Sequence, residues 1–196
     1  HFPSSTRQAP NFAELGDAGS TREVKMELKL VADVGLVGLP NAGKSSLLNA
    51  ITNANAKVGN YAFTTLEPNL GALPGGFVIA DIPGLIEGAS EGKGLGHKFL
   101  RHVKRTKRLF HLVSLENEDV VSVYKTIRKE LESFGQDLDK KEETIILTKT
   151  DAVSPAVIDD AKNKLSEFNK DIIAVSILDD AAIKRLSFDI VERLRK

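Results

Sequence analysis

The sequence predicts an α/β domain: a mostly parallel sheet of six strands with helices on both faces. Two observations carry that prediction. Short apolar runs alternate with amphipathic stretches along most of the 196 residues, and strands separated by helices make parallel pairs covered on both sides. Twelve of the 15 glycines also fall between Gly35 and Gly96. Such a cluster marks backbone that approaches a ligand closely or changes conformation, or else a half of the chain rich in turns.

The elements follow in order. Val24 to Leu30 alternates apolar and polar residues as a half-buried strand does, and Val34 to Val37 is a buried strand run that stops at Gly38. Leu47 to Ile51 belongs to a short helix opening near Gly43, Phe77 to Ile82 is a strand, and Leu95 to Lys107 is a basic helix. Leu109 to Val113 is an apolar strand. Val120 to Phe134 is a helix with Val120, Val123, Tyr124, Ile127, Leu131 and Phe134 on one face. Thr144 to Leu147 is a strand, Pro155 to Phe168 a helix with proline in its first turn, Ile172 to Val175 a strand, and Ala181 to Leu194 a closing amphipathic helix.

Residues 1–27 read as a linker or the tail of an upstream domain, with Pro3, Pro10, Gly16 and Gly19 and no sustained period, and residues 28–196 as one domain. The chain begins with His1, which suggests a piece of a longer protein. The 27 Lys and Arg balance the 27 Asp and Glu, so bulk charge argues for neither nucleic acid nor membrane, although local patches are untouched. Without cysteine there is no disulfide framework, thiolate metal site or thiolate nucleophile. No apolar run approaches the roughly 20 residues that span a bilayer. The expectation is a cytoplasmic chain with no membrane partner; the oligomeric state is open, with a monomer favoured.

The strongest local signal is Gly38-Leu39-Pro40-Asn41-Ala42-Gly43-Lys44-Ser45, which matches G-x-x-x-x-G-K-[ST] between a strand and a helix. Backbone N–H groups of such a loop point at phosphate oxygens, and the helix N-terminus adds partial positive charge. Lys44 is expected to reach the β- and γ-phosphates, and the Ser45 hydroxyl to ligate Mg²⁺.

Three further segments complete a nucleotide site. Asp81-Ile82-Pro83-Gly84 ends a strand, where the carboxylate can hold a metal-bound water and the Gly84 N–H can meet the γ-phosphate. Phe63, Thr64, Thr65, Leu66 and Glu67 form a loop with adjacent hydroxyls, of which Thr65 is assigned to the metal; ordinary strand threonines are the alternative. Thr148-Lys149-Thr150-Asp151 ends another strand. A carboxylate at Asp151 accepts from guanine N1–H and the 2-amino group, whereas adenine would leave it unpaired. Ser176, Ile177 and Leu178 follow the last strand and offer backbone N–H groups to guanine O6, or a helix cap.

This ordered set resembles the small G-protein fold, a P-loop NTPase G domain. More narrowly, residues 32–45, 63–71 and 80–89, together with the stretch from Glu91 through Arg105, resemble the Obg GTPases. His1-Phe2, Ser4-Ser5-Thr6 and Gln8-Ala9-Pro10 resemble the end of that family's glycine-rich N-terminal domain. The resemblance implies binding of GTP and GDP, Mg²⁺-dependent GTP hydrolysis that is slow without an activator, and a role in large ribosomal subunit assembly. Three positions depart from it. Thr148 replaces the usual Asn, whose amide would bond the guanine N7 side and brace the phosphate loop. Ser114 replaces a common Asp, and the stretch after Ser176 lacks the usual alanine and glycine.

Leu85 stands where Ras-like proteins carry a water-orienting Gln. The resemblance therefore assigns catalysis to Asn41, Lys44, Thr65 and Gly84, with K⁺ held near Asn41 as a second cation; a simple turn role for Asn41 is the alternative. Gly84, Gly88, Gly92, Gly94 and Gly96 suit a switch that depends on the γ-phosphate. From Gly92 to Leu115 there is no acidic residue. Lys98, Arg101, Arg105 and Arg108 would share one helix face, which fits ribosomal RNA phosphate or a merely solvated surface. A nucleotide-binding scaffold with negligible hydrolysis is the competing function, and Asp151 argues against an ATPase.

Overall fold

A computed structural model describes residues 16–24, 32–52, 69–81, 106–134, 138 and 140–195. Its elements are β1 (Val34–Val37), α1 (Lys44–Ile51), β2 (Leu70–Ala72), β3 (Val78–Asp81), β4 (Arg108–Ser114), α2 (Val120–Phe134), β5 (Glu142–Thr148), α3 (Pro155–Ser166), β6 (Ile172–Ala174) and α4 (Asp180–Arg195). The sheet has six strands in the order β2-β3-β1-β4-β5-β6. Only β2 runs antiparallel to its neighbour.

Alternation along the central strands divides the core into two layers. Phe110 and Leu112 of β4 pack with Val34, Leu36 and Ile146 under α1 and α4, where Leu47, Leu48, Ile183, Leu186 and Ile190 meet them. Leu109 and Val37 point the other way, to Ile127 and Leu131 of α2. Val113, Ile145 and Leu147 meet Tyr124 of α2 and Ala161 and Leu165 of α3. Successive residues of a strand face opposite sides, so a strand apolar at nearly every position must be covered twice.

Caps agree with the residue types at the helix starts. Asp119 accepts from the backbone N–H groups of Val121 and Ser122, at 3.1 and 2.9 Å, ahead of α2. Asp179 does the same for Ala181 and Ala182 ahead of α4. Pro155 opens α3, where its missing N–H costs nothing.

Two expectations need correction. Among the described residues the sixth strand is Leu70–Ala72, which the sequence reading does not mark; Val24 is exposed and outside any strand, and residues 25–30 lie outside the described residues. A three-residue strand containing Gly71 has no readable period, but the turn that follows it does have a signature. Pro74-Gly75-Gly76 places two glycines at φ +87° and +84°, and the Leu73 N–H bonds the Phe77 carbonyl at 2.8 Å to close the hairpin. The basic helix, in turn, does not include Lys107, and Arg108 is the first residue of β4. The Asp33 carbonyl takes the Lys107 N–H at 2.8 Å, which pulls the chain into the sheet beside β1. Lys107 also pairs with the Asp33 carboxylate, and Arg108 with Glu142 and Asp171, so neither joins a helix face with Lys98, Arg101 and Arg105. Those three lie outside the described residues.

Candidate functional site

The phosphate loop springs from the C-terminal end of β1. Asp81, the segment 148–151 and Ser176 stand at or just past the C-terminal ends of β3, β5 and β6. In an open parallel sheet that edge is where ligands bind, because the loops and helix N-termini converge there.

Packing within the protein shapes the loop as much as ligand chemistry does. A Cβ on Gly38 would lie 2.6 Å from the Leu112 backbone carbonyl, so the loop can leave β1 only by passing directly over β4. Gly43, at φ +88°, turns the chain into α1. Asn41 has φ +62°, a left-handed conformation that asparagine tolerates better than most residues; this accounts for its residue type as a turn former. The Lys44 ammonium folds back to donate to the carbonyls of Gly38 and Leu39, at 2.8 and 2.9 Å. Burial pushes its pKa down, and Asp81 works in the opposite direction.

Beside it, the Ser45 hydroxyl donates to Asp81 Oδ2 at 2.5 Å. Asp81 is buried, with its backbone N–H held by the Asn69 carbonyl at 2.8 Å, and its Oδ1 has no hydrogen-bond partner among the described residues. A buried carboxylate oxygen left open next to a hydroxyl is a hard-oxygen arrangement that fits a magnesium ion. Thr65, the third residue assigned to the metal, lies outside the described residues, as do Phe63, Thr64, Leu66, Glu67, Ile82, Pro83 and Gly84.

The residues expected to read the base stand at the ends of β5 and β6. Asp151 sits in a short 3₁₀ turn, Thr150–Ala152, with its side chain exposed. The buried Ser176 hydroxyl donates to Asp151 Oδ1 and accepts the Leu178 N–H at 3.1 Å, so Ser176 holds the carboxylate and turns the following loop at once. Ile177 and Leu178 are exposed there. Lys149 is left-handed at φ +59°, and its ammonium pairs with Glu116 in the turn after β4. Sequence reasoning missed Glu116; the two residues are 33 apart in the chain and share no local pattern.

One expectation about Thr148 changes. Replacing asparagine there does not remove the brace on the phosphate loop, because the buried Thr148 hydroxyl donates to the Ala42 carbonyl at 2.8 Å. The end of β5 thus grips the loop directly. Ser114, the second departure, is buried and works locally: its Oγ accepts the Glu116 N–H at 3.3 Å, and its carbonyl accepts from the Asn117 side chain at 2.8 Å.

Residues 33–149 match the family model described as 50S ribosome-binding GTPase. The chain belongs to that family. Among its relatives is GTPase Obg of Fervidobacterium nodosum, 46% identical over the whole of this chain and 48% of the relative. GTPase Obg of Desulfatibacillum aliphaticivorans is 54% identical over 77% of this chain and 47% of its own length. The chain therefore spans about half the length of these Obg relatives. A solved structure of the S. thermophilus NFeoB E67A mutant bound to GDP aligns over 79% of this chain and 59% of that one, with a TM-score of 0.56 and 25% identity. The Obg resemblance of the phosphate-loop and Asp81 segments thus holds across the chain, and the fold is the G domain of a P-loop GTPase. No described helix is long and apolar enough to cross a membrane.

Proposed function

We propose that this G domain of the 50S ribosome-binding GTPase family binds GTP and GDP with Mg²⁺, hydrolyses GTP slowly, and acts as a switch in large ribosomal subunit assembly. The contact between Thr148 and Ala42 is the observation that carries it. It ties the strand bearing the proposed guanine-reading carboxylate to the phosphate loop, so that one ligand can reach both, and a guanine nucleotide has the matching parts. Residues 1–27 serve as an incoming linker and 28–196 as the G domain; the described residues 16–24 are all exposed, which supports that division.

In this reading Lys44 exchanges the Gly38 and Leu39 carbonyls for phosphate oxygens. Ser45, Asp81 and Thr65 hold the metal, which when bound offsets charge on the phosphates. Gly84 positions the γ-phosphate by its N–H, and Asp151, steadied by Ser176, selects guanine. Leu85 cannot orient water, so switch backbone must do so, and turnover is slow. A K⁺ ion near Asn41 would assist, although the turn conformation by itself accounts for that residue. The lysines and arginines of residues 93–105 are the surface for ribosomal RNA. The domain works as a monomer in the cytoplasm.

Phosphate release from GTP and ATP, measured in KCl and in NaCl with and without large ribosomal subunits, tests the whole. GTP-specific release stimulated by subunits is expected. Equal rates in the two salts remove K⁺. No release over hours, with GTP still bound, favours the scaffold reading that Leu85 suggests.

A further inference from the structure

A hydroxyl carries one proton, and at Thr148 the structure shows where it goes. The Ala42 carbonyl can only accept, so the 2.8 Å contact requires Thr148 to donate to it. Thr148 is buried, at 3% residue exposure. Guanine N7 is likewise an acceptor without a proton. One hydroxyl therefore cannot brace the phosphate loop and also satisfy N7.

The orientation of the base follows from the two ends of the site. With its N1 and 2-amino edge on Asp151 and its ribose leading from N9 to the phosphates, the purine presents its five-membered ring toward the phosphate loop. Thr148 is the base-end side chain that touches that loop. We infer that this protein does not read guanine N7, so it accepts guanine nucleotides altered at that atom as readily as GDP itself. This rests on the proposed reading of guanine by Asp151 and extends it: specificity is carried by the N1, 2-amino and O6 side of the base and not by N7.

Displacement of a fluorescent GDP from the whole chain by GDP, 7-deaza-GDP and ADP tests the inference. In 7-deaza-GDP a C–H replaces N7 and the other edge is unchanged. Equal displacement by GDP and 7-deaza-GDP, within about twofold, is expected, whereas a working N7 hydrogen bond would separate them by about two- to tenfold or more. A preference of the natural chain for GDP above about twofold, the range of one such bond, overturns the inference. Thr148→Asn supplies a second donor and is expected to create the preference; a folded variant that stays indifferent overturns the assignment of residue 148 to N7. ADP separates the two readings: if it competes as well as GDP, guanine selection by Asp151 is wrong, whatever 7-deaza-GDP does.

Discussion

The Ser45 hydroxyl donates to Asp81 Oδ2 at 2.5 Å, joining the first turn of α1 to the end of β3 across the sheet edge. Among the described residues the other carboxylate oxygen of Asp81 is buried without a partner, which leaves it open to a cation. Asp81→Asn keeps an acceptor for Ser45 and removes the charge. For the natural chain, chelating Mg²⁺ is expected to weaken GDP binding about tenfold. In Asp81→Asn the same titration should show no metal effect; a metal effect of natural size in that variant sinks the metal assignment.

Gly38→Ala tests whether the loop is shaped by the protein or by its ligand. The added methyl would sit 2.6 Å from the Leu112 carbonyl, and backbone cannot yield as a side chain would. Overpacking of this kind costs about 1–3 kcal/mol. Urea unfolding of the nucleotide-free variant should register that loss. Stability equal to the natural chain would mean that Gly38 matters only to phosphate.

Asp151→Asn replaces a two-oxygen acceptor with a group that meets guanine N1–H through one oxygen and turns a donor on the 2-amino group. Two charged hydrogen bonds are worth about 3 kcal/mol or more, so GTP affinity should fall roughly 100-fold while ATP binding barely changes. Equilibrium titration with both nucleotides decides it. A retained preference for GTP means that another group reads the base.

His111, Glu143, Tyr124 and Arg128 form a polar cluster between the sheet and α2. His111 Nδ1 and Glu143 Oε1 are 2.7 Å apart, and Tyr124 and Arg128 both donate to Oε2 at 3.2 Å. Burial pushes the Glu143 carboxyl up, but His111, Arg128 and Tyr124 together hold it below its ordinary value. Burial, aided by Glu143, pushes the Tyr124 hydroxyl up to about 12. A carboxylate depressed in the folded state stabilises fully above its unfolded pKa, and the contribution is lost as pH falls through the folded pKa. Stability should therefore drop below about pH 4.3, the ordinary glutamate value. Glu143→Gln should lower stability at neutral pH by about 2 kcal/mol, within the range for a hydrogen bond to a charged group. Its acid drop should be smaller. Denaturant midpoints at several pH values compare the two, and parallel profiles would rule out Glu143 as the source.

Sequence alone determined the strand and helix alternation, the phosphate loop, the Asp81 and Asp151 carboxylates and the family, because each is written in residues close together in the chain. It also marked where the family pattern thins, at Ser114, Thr148 and after Ser176. Tertiary structure decided what those departures do, since each is answered by a distant group. The Thr148 proton is taken by Ala42, and Lys149 by Glu116. It also showed that Leu70–Ala72 supplies an edge strand of the sheet, and that Arg108 enters the sheet instead of extending a basic helix. An edge strand of three residues is held by its partner's hydrogen bonds and not by its own pattern. An arginine's neighbours likewise depend on which strand lies alongside, and no local spacing records either one.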